Sequence, residues 1–150
     1  MSLDSDVKLL ASLPVFSSLD AEALKLIAFA AETRTFVAGE VLYRQGESSF
    51  GGFVIVSGTI ALESSQNDGV AAKIVGPGGL LGELALIAVT KNPATAIARQ
   101  DLTVLRISRA LFLRTLAESP ASAQRLRVEL GRELQTFVGA LEKTRKSFLH

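Results

Sequence analysis

The residues best able to do chemistry lie in one short run, Gly76-Pro77-Gly78-Gly79-Leu80-Leu81-Gly82-Glu83-Leu84-Ala85-Leu86-Ile87, and in the segment Ala88 to Ala98 after it. Glycines at 76, 78, 79 and 82 allow positive φ or a close approach to a ligand, both of which a Cβ resists. Glu83 to Ile87 contains good helix formers and predicts a short helix of one or two turns starting near Gly82. The free amides at the start of that helix, at the positive end of its peptide dipoles, can receive a phosphate. Glu83 beside them can accept hydrogen bonds from sugar hydroxyls. Phosphate and sugar together describe a nucleotide. A plainer reading has Glu83 complementing the helix dipole and the glycines forming an ordinary loop. No Gly-Lys-Ser/Thr follows the glycines, so the run carries no motif for ATP or GTP hydrolysis.

Composition narrows the alternatives. Cysteine is absent, which removes thiolate metal sites, iron-sulfur clusters, disulfides and cysteine nucleophiles. The single histidine is His150, so neither a Ser-His arrangement nor a multi-histidine metal cage can be assembled. The chain reads as a non-enzyme with no metal or cofactor. A formal net charge of +1 gives no global attraction to nucleic acid or anionic lipid. No uninterrupted apolar run is long enough to span a bilayer, and the start of the chain has no basic segment leading into an apolar one, so a cytoplasmic location is expected.

The elements that must hold the glycine run follow from periodicity. With 150 residues and 48% apolar content, the chain predicts one domain over 1–150. Val7 to Leu13 reads as a helix broken by Pro14, after which Val15 and Phe16 plug the core edge. Asp20 is the expected N-cap of a second helix, with Leu19 stapled on Leu24 and with Leu24, Leu26, Ile27 and Phe29 as its buried face. Helices thus occupy about 7–30. From Arg34 to Ile107 the pattern changes to short strands: 34–37, 41–44, 53–56, 59–62, 71–75, 94–99 and 102–107. Turns at Ala38-Gly39-Glu40, Gln45-Gly46-Glu47, Ser57-Gly58 and Asn67-Asp68-Gly69 separate them. A mainly β, jelly-roll-like β-roll results. Ser108 then caps a helix with Ala110, Leu111, Leu113 and Leu116 as its stripe. Ser119-Pro120 starts a long C-terminal helix whose apolar positions are Leu126, Leu130, Leu134, Phe137, Leu141 and Phe148. The C-terminal helices occupy about 109–148.

The order Gly82-Glu83-Leu84-Ala85-Leu86-Ile87, followed by a strand at Ala94 to Ala98, closely resembles the phosphate-binding cassette of cyclic nucleotide-binding domains. These are the sensor domains of catabolite activator proteins, protein kinase A regulatory subunits and gated channels. Gly39-Glu40, Gln45-Gly46-Glu47 and Ser57-Gly58 stand where that family carries turn glycines, so the resemblance covers roughly Pro14 to Ala117. It implies that Glu83 holds the ribose 2′-hydroxyl and that the amides around Leu84 and Ala85 hold the cyclic phosphate. The family's phosphate-binding arginine falls at Asn92 or Pro93, and Pro93 also replaces the usual Ser, Thr or Ala, leaving Lys91 as the nearest cation. The implied ligand set is Gly82, Glu83, Leu84, Ala85, Lys91, Asn92, Pro93 and Ala94. Loss of a charged hydrogen bond of about 1.5–3 kcal/mol would weaken binding by roughly one to two orders of magnitude. The resemblance implies a regulatory module for cAMP or cGMP, cAMP before cGMP, that moves its last helix on binding. The other reading is a fold that has lost its ligand and works as an interaction or dimerisation module. In this family the last helix dimerises or closes over the base. A homodimer through that helix and an effector protein are therefore the expected partners. The sequence past this helix offers no helix-turn-helix, so direct DNA binding is not expected.

Overall fold

The computed structural model describes residues 3–64, 73–129 and 131. Three helices come first: α1 (Leu3–Ala11), α2 (Pro14–Ser17) and α3 (Ala21–Ala30). Pro14 does more than end α1. It occupies the first position of α2, where its missing N–H costs nothing, and the turn delivers Val15 and Phe16 into the core. Asp20 caps α3 as expected, its Oδ1 accepting from the Ala23 N–H at 2.8 Å.

Eight strands follow: β1 (Glu32–Phe36), β2 (Val41–Tyr43), β3 (Gly51–Ser57), β4 (Ile60–Glu63), β5 (Lys73–Val75), β6 (Leu80–Leu81), β7 (Thr95–Ala98) and β8 (Leu102–Ser108). They pair antiparallel in two four-stranded sheets, ordered β1-β8-β3-β6 and β2-β7-β4-β5. Apart from the β4–β5 pair, consecutive strands fall in opposite sheets, which is the β-roll expected from the short strands and turn glycines. Gly39, Gly46 and Gly58 take positive φ at the predicted turns. The predicted Asn67-Asp68-Gly69 hairpin lies outside the described residues.

Strand alternation builds two cores from one sheet. Val54, Leu105 and Ile107 face outward and pack with Leu10, Phe16, Ile27 and Phe112 from the helices. Their neighbours Phe53, Ile55, Leu102 and Val104 face inward and meet Ile60, Ala96 and Ala98 of the second sheet. β3 is therefore buried on both faces, hence its nearly continuous apolar sequence.

After β8 come α4 (Arg109–Ala117), capped by Ser108 Oγ accepting from the Leu111 N–H at 3.0 Å, and α5 (120–129). Two predicted faces need correction. α3 buries Ala23, Leu24, Ile27 and Ala28, while Leu26 is 48% and Phe29 80% exposed. Leu24 and Ile27 are buried as expected, but Ala23 and Ala28 complete the stripe in place of Leu26 and Phe29, which lets α3 lie close to its neighbours. α4 buries Leu111, Phe112 and Thr115, whereas Ala110 and Leu113 are exposed. Thr115 tolerates burial because its hydroxyl donates to the Leu111 carbonyl at 2.8 Å. On α5, Leu126 is buried as expected. Leu130, Leu134, Phe137, Leu141 and Phe148, and with them most of the expected long C-terminal helix beyond α5, lie outside the described residues.

Candidate ligand-binding site

The glycine run is partly sheet. Gly78 at φ 84° turns the chain, and Leu80–Leu81 then pairs with Val54 and Phe53 of β3 before Gly82 turns it again at φ 82°. A Cβ on Gly82 would stand 2.6 Å from the Gly51 carbonyl oxygen, so the position excludes side chains both by conformation and by space. The predicted helix is a single 3-10 turn at Leu84–Leu86. Its hydrogen bonds run from Leu86 N–H to Glu83 C=O at 3.3 Å and from Ile87 N–H to Leu84 C=O at 3.1 Å. The Leu84 and Ala85 amides precede the first of these bonds and have no acceptor within the turn. The turn ends at Ile87, and by Thr90 the chain is already bonded to Ser49, which leaves little room for a longer helix.

The segment after the turn is laced to the loop between β2 and β3. Ser49 N–H donates to Thr90 C=O at 2.7 Å, the Ser49 and Thr90 hydroxyls meet at 2.9 Å, and Ser48 and Lys91 form a β-bridge. Asn92 is held on three sides. Its N–H donates to Glu47 C=O at 2.8 Å, its C=O accepts from Gly46 N–H at 2.9 Å, and its Nδ2 donates to Arg44 C=O at 3.1 Å. The Asn92 side chain here closes a loop.

Together these segments border a cavity of about 750 Å³, within the range of small-molecule sites. Gly82, Glu83, Leu84 and Ala85 form one wall and Lys91, Asn92 and Pro93 another; Ala94, the eighth residue of the expected set, does not line it. Leu42, Tyr43, Phe53 and Leu62 supply an apolar floor, with the Tyr43 and Phe53 rings 5.8 Å apart. Burial pushes the Tyr43 phenol up, so it stays neutral. The arrangement offers backbone donors and a carboxylate beside an apolar surface, which suits a phosphate, a sugar and a flat base. Among the described residues no group of three or more His, Cys, Asp or Glu side chains could hold a metal, and no helix is long and apolar enough to cross a membrane.

Sequence reasoning missed Arg109. From the first position of α4 its Nε donates to the Ala85 carbonyl at 2.9 Å, and its Nη2 donates to the Ser49 carbonyl at 2.9 Å and the Ser49 hydroxyl at 3.0 Å. It joins the 3-10 turn, the β2–β3 loop and α4. The partners stand 24 and 60 residues away, so no local pattern reveals them.

This chain belongs to the cyclic nucleotide-binding domain family, which it matches over residues 33–119. It is 31% identical over 114 residues to a cAMP-dependent protein kinase regulatory subunit of Dictyostelium discoideum, covering 75% of this chain and 35% of that protein. Identity is also 31% over 117 residues with a cyclic nucleotide-gated potassium channel of Mesorhizobium japonicum, covering 78% and 32% respectively. The chain thus spans about a third of the length of these two relatives. A solved cyclic nucleotide-binding-like protein from Brucella abortus superimposes with a TM-score of 0.70 at 41% identity, covering 76% of this chain and 99% of that one.

Proposed function

We propose that the chain is a non-enzymatic regulatory module that binds a cyclic nucleotide, cAMP before cGMP, and couples occupancy to the position of its C-terminal helix. The observation that carries this reading is the cavity bordered by Gly82 to Ala85 and by Lys91 to Pro93 in a chain of this family. Glu83 accepts from the ribose, the Leu84 and Ala85 amides take the cyclic phosphate, and Lys91 neutralises part of its charge. The preference for cAMP is drawn from the Dictyostelium relative, a cAMP-dependent regulatory subunit. Ligand and helix position are linked only as far as the ligand's affinity differs between the two positions. A homodimer through the last helix, an effector protein as the receiver, a cytoplasmic location and no contact with DNA complete the proposal.

Calorimetric titration of cAMP and cGMP into wild type and Asn92→Arg tests it. Wild type binds cAMP weakly, and the introduced guanidinium strengthens binding by roughly one to two orders of magnitude. A second reading, favoured by the Asn92 side chain being spent on Arg44, is a fold that keeps the cassette for packing and serves as an interaction module. It is the correct one if neither protein binds at millimolar nucleotide.

A further inference from the structure

The far wall of the cavity carries charge that a β-roll interior does not need. Glu32, Arg106, Phe53 and Leu81 pair in one continuous row across β1, β8, β3 and β6. Paired residues of an antiparallel sheet project from the same face. Phe53 and Leu81 face the inner core, as do Val104 and Leu102 further along β8. Arg106 therefore stands on the inner face, two strand spacings, or roughly 10 Å between Cα atoms, from Leu81. The cassette turn begins at the next residue.

Arg106 is held in place there. Its guanidinium lies over the Phe50 ring, 3.4 Å from the centroid, and Nη1 donates to Glu32 Oε2 at 3.4 Å. Arg34 Nε donates to the same oxygen at 3.0 Å. That hydrogen bond, more than the nearby charges, holds the Glu32 carboxyl below its usual range. One carboxylate shared by two guanidiniums leaves an excess of positive charge, and both arginines line the cavity. The Arg106 side chain is 25% exposed and that of Arg34 50%, so both remain open to a ligand. Around the whole wall Arg34, Lys73, Lys91 and Arg106 face two carboxylates, Glu47 and Glu83. Glu47 Oε1 accepts from the Arg44 N–H at 3.2 Å, and Glu83 is the sugar acceptor in the reading above.

We propose that Arg106, with Arg34 beside it, is the anion-recognising pair of this cavity, meeting the ligand's phosphate charge from the strand side because the cassette carries no arginine. The proposal rests on the nucleotide reading, and Glu32 acts in it as a positioning residue. A planar guanidinium stacked on an aromatic ring and held at one edge is preorganised for a phosphate.

The test follows the Nε–Hε signals of Arg34 and Arg106 and the amides of Leu84 and Ala85 by NMR, while cAMP, and separately inorganic pyrophosphate, is titrated into the protein. Both sets move saturably with cAMP. Arg106→Gln weakens cAMP by about tenfold, and Arg106→Lys, which keeps the charge but not the fork, recovers part of the loss. Glu32→Gln frees both arginines and tightens cAMP by roughly threefold. A role limited to ion pairing with Glu32 predicts no gain. If cAMP moves the cassette amides while the Arg106 signal stays fixed and Arg106→Gln binds as wild type does, the pair is overturned and the nucleotide reading stands. If cAMP moves neither set but pyrophosphate moves Arg106 saturably, the nucleotide reading fails and the anion pair stands. If neither probe moves Arg106, the proposal is wrong.

Discussion

At Gly82 two constraints fall on one residue: a φ of 82° and a neighbouring carbonyl oxygen 2.6 Å from where a Cβ would sit. Gly82→Ala must rotate the turn or push β3 aside. Its expected effect is a loss of about 1–3 kcal/mol in unfolding free energy, read by urea titration, with a further loss of cyclic nucleotide binding. A variant as stable as wild type would mean that the turn relaxes freely. The importance of this glycine was legible in the sequence because Gly-Glu-Leu-Ala reads as a turn into a helix start. Asn92 was legible only as the lack of an arginine. What it does instead, donating to the Arg44 carbonyl 48 residues earlier, depends on two loops meeting. Arg34 and Arg106 were hidden for a related reason: alternation along β8 marks a polar residue among apolar ones, but only the register with Phe53 puts it on the inner face.

At the scale of elements, the 3-10 turn is fastened to the start of α4 through Arg109. Replacing it by methionine keeps much of the stem's packing and removes three hydrogen bonds, leaving the Ala85 and Ser49 carbonyls without this donor. Arg109→Met should lose about 2 kcal/mol in stability and bind cAMP more weakly because the Ala85 amide is no longer held in line. Calorimetry at a temperature where the variant remains folded separates the two effects, and unchanged affinity would restrict Arg109 to stability. Strand existence was readable from the sequence, since glycine turns at Gly39, Gly46 and Gly58 punctuate apolar runs. β6 was not, because two residues at Leu80–Leu81 have no period of their own and gain their identity from β3. The faces of α3 and α4 were misread by the same mechanism. Helical spacing finds an apolar stripe, but side-chain size does not fix its centre: on α3 Leu24 and Ile27 turn inward with Ala23 and Ala28, and Leu26 and Phe29 do not.

Across the whole molecule, Asp20 joins the N-terminal helices to α5. Beyond capping α3, its Oδ2 accepts from the Ser119 hydroxyl at 2.9 Å, and its N–H donates to the buried Ser122 hydroxyl at 2.9 Å. Arg125 Nε adds a bond to the Ser18 carbonyl at 2.8 Å. The Ala23 N–H first, and the Ser119 hydroxyl next, hold the Asp20 carboxyl below its ordinary value of 3.8. Folding therefore favours the ionised form. Its stabilising contribution is complete above that ordinary value and is lost as pH falls through the lower folded one. Urea midpoints taken from neutral pH to about pH 3 should fall less steeply for Asp20→Asn than for wild type. Equal slopes would remove Asp20 from the acid response. The proposed homodimer belongs to this scale too. Sedimentation equilibrium should report twice the chain mass, and a monomer at high protein concentration would remove that part of the proposal.

The helical core draws Leu10, Phe16 and Ile27 from one end of the chain and Leu105, Phe112 and Leu126 from the other, with the β-roll strung between them. A ribosome making this protein therefore releases α1 to α3 before most of what covers them exists; of the buried residues they pack with, only Val54 of β3 and Leu86 come earlier than β8. The larger part of their apolar face has to wait for β8 and α4, and closing that separation sets a slow, late step in folding. A nascent chain halted before Leu102 would lack Leu105, Ile107, Leu111, Phe112 and Leu126, carry this face only partly covered and be prone to aggregate or recruit a chaperone, whatever ligand the finished cavity takes.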